Sequence, residues 1–155
     1  MDHGIDREFA ARVQSSFERQ AFMTTVGARL VAIEPGSVVI EWPFGEHLTQ
    51  QDGFLHAGVV AAVADSACGY AALSLMERGF AVLSVEFKIN LMKPAAGERF
   101  RAVGKVIRAG RTLSVCAAEV QALRAGKETA IAVMQGTMMA VREDSRAEKV
   151  RLTPP

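Results

Sequence analysis

The stretch from Gly53 to Met76 is a long apolar run that carries a single carboxylate, Asp65. Between His56 and Glu77 every other residue is apolar, small or hydroxylic. Such a segment reads as a helix hydrophobic on nearly every side, which has to be covered on nearly every side. An ionised aspartate inside it costs several kcal/mol unless it has partners or a task. Asp65 is therefore the first candidate for chemistry.

The part from Val59 to Met76 approaches the ~20 residues that span a bilayer. It holds Asp65, Ser66, Gly69 and Ser74 and lacks a centre rich in Leu, Ile or Phe, so it reads as a buried core helix and not as a membrane span. The 155 residues fit a single domain, 1–155, large enough to bury most of its apolar surface. A net charge of +1 gives no footing for a nucleic-acid-binding face. Cys68 and Cys116 both sit in apolar runs, where an unpaired cysteine behaves as a small hydrophobe. A reducing, cytoplasmic setting is expected, with a bond between the two thiols left open. The N-terminus, Met1-Asp-His-Gly-Ile-Asp-Arg-Glu, is too polar and too acidic for a signal peptide.

Before the long helix, Phe9, Val13 and Phe17 recur at i, i+4 steps among charged residues, which predicts an amphipathic helix over 6–20 covering the core edge. Gly27 to Glu34 and Val38 to Pro43 are β-branched-rich runs parted by Pro35-Gly36-Ser37, a hairpin signal. The long helix is expected from about His56 to Met76, with a polar and glycine stop at Glu77-Arg78-Gly79. From Ala81 to Met92 the chain alternates, with Val85, Phe87, Ile89 and Leu91 on one face and Ser84, Glu86, Lys88 and Asn90 on the other. Strands follow over Phe100 to Arg108, Leu113 to Leu123 and a last run ending near Val141. The charged tail 142–155 ends in Pro-Pro and reads as frayed. The fold class is α+β with an antiparallel sheet. A strongly curved sheet would cover part of the long helix, and a second subunit the rest.

Asp65 lies eight positions after Ala57, just over two turns at ~3.6 residues per turn and ~12 Å of rise. The helix start offers unpaired backbone N–H groups and the positive end of the dipole, which stabilise an oxyanion. Small residues there, Ala57 and Gly58, let a carbonyl approach the backbone. If two subunits bring the helix start of one chain opposite the carboxylate of another, a polarised carbonyl meets a base or nucleophile. Tight packing at the helix start, and a structural carboxylate held by neighbouring hydroxyls, are the plain alternatives.

The segment from His47-Leu-Thr-Gln50 through Gly53-Phe-Leu-His56-Ala-Gly58 to Asp65-Ser-Ala-Cys-Gly69, with Leu83-Ser84-Val85-Glu86-Phe87, Pro94-Ala-Ala-Gly97 and Gly110-Arg111-Thr112, resembles hotdog-fold acyl-CoA thioesterases of the phenylacetate-degradation (PaaI-like) type. The likeness runs from about Gly27 to Val141. It implies a sheet wrapped around the long helix, a homodimer that pairs into a dimer of dimers, and a site at the subunit interface. It also implies that Asp65 activates water or attacks the thioester. By the same likeness the Ala57 N–H after His56 is the oxyanion donor, and Gln50 and Ser84 orient the reactants. Two departures bear on the substrate: Ala57 replaces the first Gly of the usual His-Gly-Gly, and Gln50 stands where many members carry Asn.

From Lys88 to Arg111 there are seven basic residues and one acid, Glu98, a balance that suits coenzyme A phosphates. Arg108 and Arg111, flanking a turn, are the leading candidates, with Lys88 and Lys93 beside them; a solvated strand face is the plain reading of each. Phe54, Leu55, Tyr70 and Leu73 are candidates for an acyl pocket. His3, His47 and His56 lack metal spacing, and Gly104 to Arg111 misses the phosphate-loop pattern. Ser66 points ~100° away from Asp65 on a helix and forms no triad with it. Cys68 has no evident base, and His56 reads as an orienting group. The expected activity is hydrolysis of an acyl-CoA thioester to free acid and CoA with no metal or redox cofactor. The rivals are a non-catalytic acyl-CoA sensor and a hotdog hydratase, the latter lacking its catalytic His because no His follows Gly58.

Overall fold

A computed structural model describes residues 5–144. The tail expected to fray falls outside them from 145 onward, as do the first four residues. Helix α1 spans Ile5–Glu18 and a short helix α2 spans Ala21–Val26. A hairpin, β1 (Arg29–Glu34) and β2 (Ser37–Pro43), precedes the long helix α3 (Ala57–Leu73). Then come β3 (Phe80–Leu91), β4 (Arg99–Arg108), β5 (Leu113–Arg124) and β6 (Lys127–Arg142). All six strands form one antiparallel sheet in the order β1-β2-β4-β5-β6-β3. Helix α2 had no counterpart in the sequence reading. Its six residues, Ala-Phe-Met-Thr-Thr-Val, are too few to show a period and half of them are β-branched.

The sheet wraps α3. Val38, Ile40 and Trp42 of β2, Phe100 and Ala102 of β4, and Cys116, Ala118 and Val120 of β5 are buried in one core with the helix. The small side chains of α3, Ala64, Ala67 and Ala71, are fully buried and let the strands come close. At Gly104 the approach is backbone to backbone. A Cβ there would stand 2.3 Å from the Ala67 carbonyl carbon and 2.7 Å from the Cys68 nitrogen. Hence β4 crosses the helix at the one position without a side chain.

Helix α1 packs beside β1 and reaches the C-terminal half of α3. Val13 and Phe17 join the core, and Phe17 packs edge-on against Tyr70 with ring centroids 5.8 Å apart. Arg12 fixes the placement. Its guanidinium donates to the carbonyls of Leu73 (2.5 Å), Met76 (2.6 Å) and Glu77 (2.8 Å), at and just beyond the C-terminus of α3, where the helix dipole is negative. Toward the middle of α3, Ala61, Ala62, Asp65 and Ser66 stay half-exposed.

One sequence expectation is corrected here. The simple alternation put Ser84 on the face opposite Phe87, Ile89 and Leu91. A bulge between Ser84 and Glu86 inserts Val85 as an extra residue. Ser84 pairs with buried Met138, Phe87 with Gly136 and Ile89 with buried Met134, so Ser84 shares the helix-facing side with the apolar residues. Across the bulge the period slips by one, and Glu86 and Lys88 remain on the outer face.

Because Gly104 meets backbone, which cannot rotate aside, Gly104→Ala is expected to lose at least the ~1–3 kcal/mol typical of overpacking. Thermal unfolding followed by circular dichroism should show a melting temperature several degrees lower. An unchanged melting temperature would mean that the sheet does not press on the helix at this point.

Candidate active site

Asp65 sits half-buried on α3, where its helix faces the bulged edge of β3. The Ser84 hydroxyl donates to the carboxylate, 2.7 Å from Oδ1 and 2.9 Å from Oδ2. The bulge at Val85 turns Ser84 inward and so makes this contact possible. Burial pushes the Asp65 carboxyl above its ordinary range, and the Ser84 hydrogen bond offsets part of that rise. The pair opens on a cleft of about 330 Å³ that extends past Gly69 and Tyr70 beneath α1, where Arg12, Ser16 and Gln20 form the roof.

The start of α3 is a second centre. His56 is its N-cap, and its Nδ1 accepts the Gly58 N–H at 2.8 Å, so the ring carries its neutral proton on Nε2. The N–H groups of Val59 and Val60 reach the His56 carbonyl oxygen at 3.0 and 3.3 Å. Of the first four N–H groups, that of Ala57 alone has no acceptor among the described residues. It opens on a cleft of about 380 Å³ shared with Gln50, Phe54, Leu91, Met92 and Lys93. The Gln50 side-chain oxygen accepts the Asp52 N–H, which leaves its amide NH₂ free to donate.

The expected site residues thus fall into groups. Asp65, Ser84 and Tyr70 line one cleft; Ala57, Gln50, Phe54 and Lys93 line the other. Within one chain the two clefts are separate. Arg111 lines a third cleft of about 220 Å³ at the far end of α3, Arg108 is exposed beside the same turn, and Lys88 is exposed on the outer face of β3. Of the remaining basic residues, Arg99 and Arg101 are held by Glu41 at 3.2 and 2.8 Å, and Arg101 also by Glu128 at 2.7 Å. Glu41 is 4% exposed; burial would raise its pKa, but Arg101, Arg29 and Arg99 bring it below the ordinary carboxylate value. The local basic excess is accordingly smaller than the sequence suggested.

Cys68 and Cys116 are free, buried thiols, pushed up by burial to about 12 and about 11, which removes them as nucleophiles near neutral pH. Arg12, Ser16 and Gln20 were not anticipated at the site. Their contacts lie fifty to sixty-five residues away along the chain, and their own segment shows only a charged helix face.

A six-stranded antiparallel sheet curved around a long central helix is the hotdog fold. A family model for the thioesterase superfamily matches residues 52–128. A crystal structure of a thioesterase family protein from Silicibacter pomeroyi is 53% identical with a TM-score of 0.85, over 86% of this chain and 98% of that one. Acyl-coenzyme A thioesterase 13 of Homo sapiens is 33% identical over 99 residues, 63% of this chain and 70% of the relative. The PaaI protein of the phenylacetic acid degradation operon of E. coli shares the fold, with a TM-score of 0.78 at 18% identity over 89% of this chain and 96% of that one. Among its curated relatives, the chain spans 61% of the length of one from Saccharolobus solfataricus and 99% of one from Halobacterium salinarum. The chain belongs to the thioesterase superfamily.

The raised pKa of Asp65 has a consequence for stability. A carboxyl whose pKa rises on folding holds its proton more tightly in the native state, so ionisation weakens the fold as pH climbs from the unfolded value, about 3.9, through the native one. Asp65→Asn removes that penalty. The variant should melt above wild type at pH 7, and the gap should close as pH falls below the unfolded value. A variant no more stable at pH 7 would contradict the pKa assignment.

Proposed function

We propose that the protein hydrolyses acyl-CoA thioesters to a free acid and CoA at a site shared by two copies of the chain. The observation that carries this reading is the half-buried Asp65–Ser84 pair at one cleft and the free Ala57 N–H at another, both on α3. Neither is a complete centre alone. A partner that sets its α3 start against the Asp65 cleft joins an oxyanion donor to a carboxylate.

In this mechanism the thioester carbonyl oxygen accepts the Ala57 N–H, strengthened by the helix dipole and by the Gln50 amide. His56 holds the Gly58 N–H and shapes the turn so that Ala57 presents its own. Water adds to the carbonyl carbon as its proton passes to the Asp65 carboxylate; the C–S bond then breaks, and CoA leaves as the thiolate and takes up that proton. Alternatively the Asp65 oxygen attacks first, expelling the thiolate, and water hydrolyses the resulting anhydride. Both routes need the ionised carboxylate, and both use Ser84 to hold it. A base with a raised pKa works closer to neutrality, where catalysis by proton transfer is most effective. The chemistry calls for no metal or redox cofactor.

Lys93, in the helix-start cleft, is the best-placed basic residue for the CoA portion, with Phe54 beside it; Lys88, Arg108 and Arg111 would serve the phosphates from the surrounding surface. The homodimer is supported by β3, a twelve-residue edge strand with Leu83, Val85, Phe87 and Leu91 exposed. A long apolar edge of this kind pairs with another strand unless something blocks it. A dimer of dimers follows the family likeness. A cytoplasmic setting accords with the two free thiols, and no helix among the described residues is long and apolar enough to cross a membrane.

Release of CoA from short, medium, long-chain and aryl acyl-CoAs tests the chemistry. Wild type should turn over part of the panel, and Asp65→Asn should lose at least ~100-fold in kcat, the scale of general-base catalysis. Near-normal turnover in the variant would remove Asp65 from the mechanism. Release from no ester, with calorimetry still registering binding, would replace hydrolysis by non-catalytic binding. Sedimentation should find a dimer or larger; a stable, active monomer would contradict a shared site.

A further inference from the structure

Among the described residues the Ser84 hydroxyl is the sole hydrogen-bond partner of the Asp65 side chain, and it faces more acceptors than it has protons. Its oxygen lies 2.7 and 2.9 Å from the two carboxylate oxygens and 3.5 Å from the sulfur of Met138. A hydroxyl carries one proton and two lone pairs. While Asp65 is ionised all three neighbours are acceptors, the carboxylate is the strongest of them, and the sulfur goes without. No donor among the described residues reaches the Ser84 oxygen, so its lone pairs are open to one.

The sulfur is held in place. Met138 stands opposite Ser84 in the pairing of β3 with β6, next to the bulge, and is fully buried. Its methyl end lies over Gly136, where a Cβ would stand 3.4 Å from Met138 Cε and 3.1 Å from the Glu86 carbonyl oxygen. The thioether is thereby fixed within reach of the Ser84 hydroxyl.

This arrangement suits the other protonation state of Asp65 equally well. A carboxylic acid has a proton to donate, and at 2.7 to 2.9 Å the Ser84 oxygen is its acceptor. The Ser84 proton must then turn away, and Met138 Sδ is the remaining acceptor among its contacts. No heavy atom moves and the Ser84 O–H bond stays intact; the hydroxyl only rotates.

We propose that Met138 is a positioning residue whose sulfur accepts the Ser84 hydroxyl while Asp65 carries a proton, so that Ser84 serves the carboxylate as donor and the acid as acceptor. Its part in turnover rests on the reading of Asp65 as general base. The proton of the attacking water then resides on Asp65 until the departing thiolate takes it. Ser84 turns to the sulfur for that interval and back to the carboxylate afterwards. A bond to sulfur that exists only when Asp65 is neutral favours the neutral form, so its loss lowers the Asp65 pKa. Arg12 of α1, Arg19 just beyond it, Glu143 after β6 and Tyr70 of α3 line the same cleft, Cys68 is near on α3, and Glu86 and Lys88 of β3 face the other side of the sheet. All of these stay the same when residue 138 alone is changed.

The test is the titration of Asp65 in the folded protein, read from its carboxyl carbon by nuclear magnetic resonance, which needs no activity, beside the acid limb of kcat/KM against pH. Met138→Leu removes the sulfur at nearly constant volume, and Met138→Ile does so if leucine packs poorly. Either variant should titrate about half a pH unit below wild type, the scale of one weak hydrogen bond, and the acid limb should move with it. With Ser84→Ala in place, the same substitution should leave the titration unmoved. No shift, an upward shift, or an equal shift with and without the Ser84 hydroxyl overturns the proposal. If no acyl-CoA is hydrolysed, the hydrolase reading fails separately, and the carboxyl titration alone decides the role of Met138.

Discussion

Helix α3 has to be buried on nearly every side while keeping one carboxylate in contact with solvent, and the surrounding elements are arranged to meet both demands. The sheet covers the face where Ala64, Ala67 and Ala71 leave no side chain to obstruct it, and Gly104 brings β4 to the helix backbone itself. A partly exposed stripe remains through the middle of the helix, at Ala61, Ala62, Asp65 and Ser66. Placing the charge on that stripe lets the apolar remainder stay dry without forcing an unpaired ion into the core. The single carboxylate of the helix thus lies where its surface is only partly covered.

The two ends of α3 are completed by different chemistry, with different results for function. At the start a side chain of the cap itself, His56, satisfies Gly58 and leaves the Ala57 N–H available. At the end the partner comes from far away, as Arg12 supplies a cation to the carbonyls of Leu73, Met76 and Glu77. The local cap preserves a donor for a ligand, and the distant one fixes a second helix over the cleft.

This difference also explains what could be read from the sequence. The helix, its start near His56 and the hairpin turn at Pro35-Gly36 are encoded within a few residues of where they form, and each emerged from pattern and spacing. The position of Ser84 did not. Val85 is an ordinary strand residue, and nothing in the alternation from Ala81 to Met92 marks it as the extra one; the bulge follows from pairing with β6 around the helix. Arg99 and Arg101 looked like part of a basic field until Glu41, on a neighbouring strand, claimed them. Charge counted along the chain does not reveal pairing across a sheet.

Helix α1 roofs the Asp65 cleft through Arg12 and Ser16, and Gln20 continues the roof toward α2. Burial raises the pKa of the Asp65 carboxyl, and the Ser84 hydrogen bond offsets part of that rise. The place of α1 over the cleft is held by Arg12 and by the packing of Phe17 on Tyr70. A change in α1 that opened the roof would bring the Asp65 carboxyl toward a solvated carboxylate, whereas loss of the Ser84 hydroxyl would remove the hydrogen bond that offsets the rise.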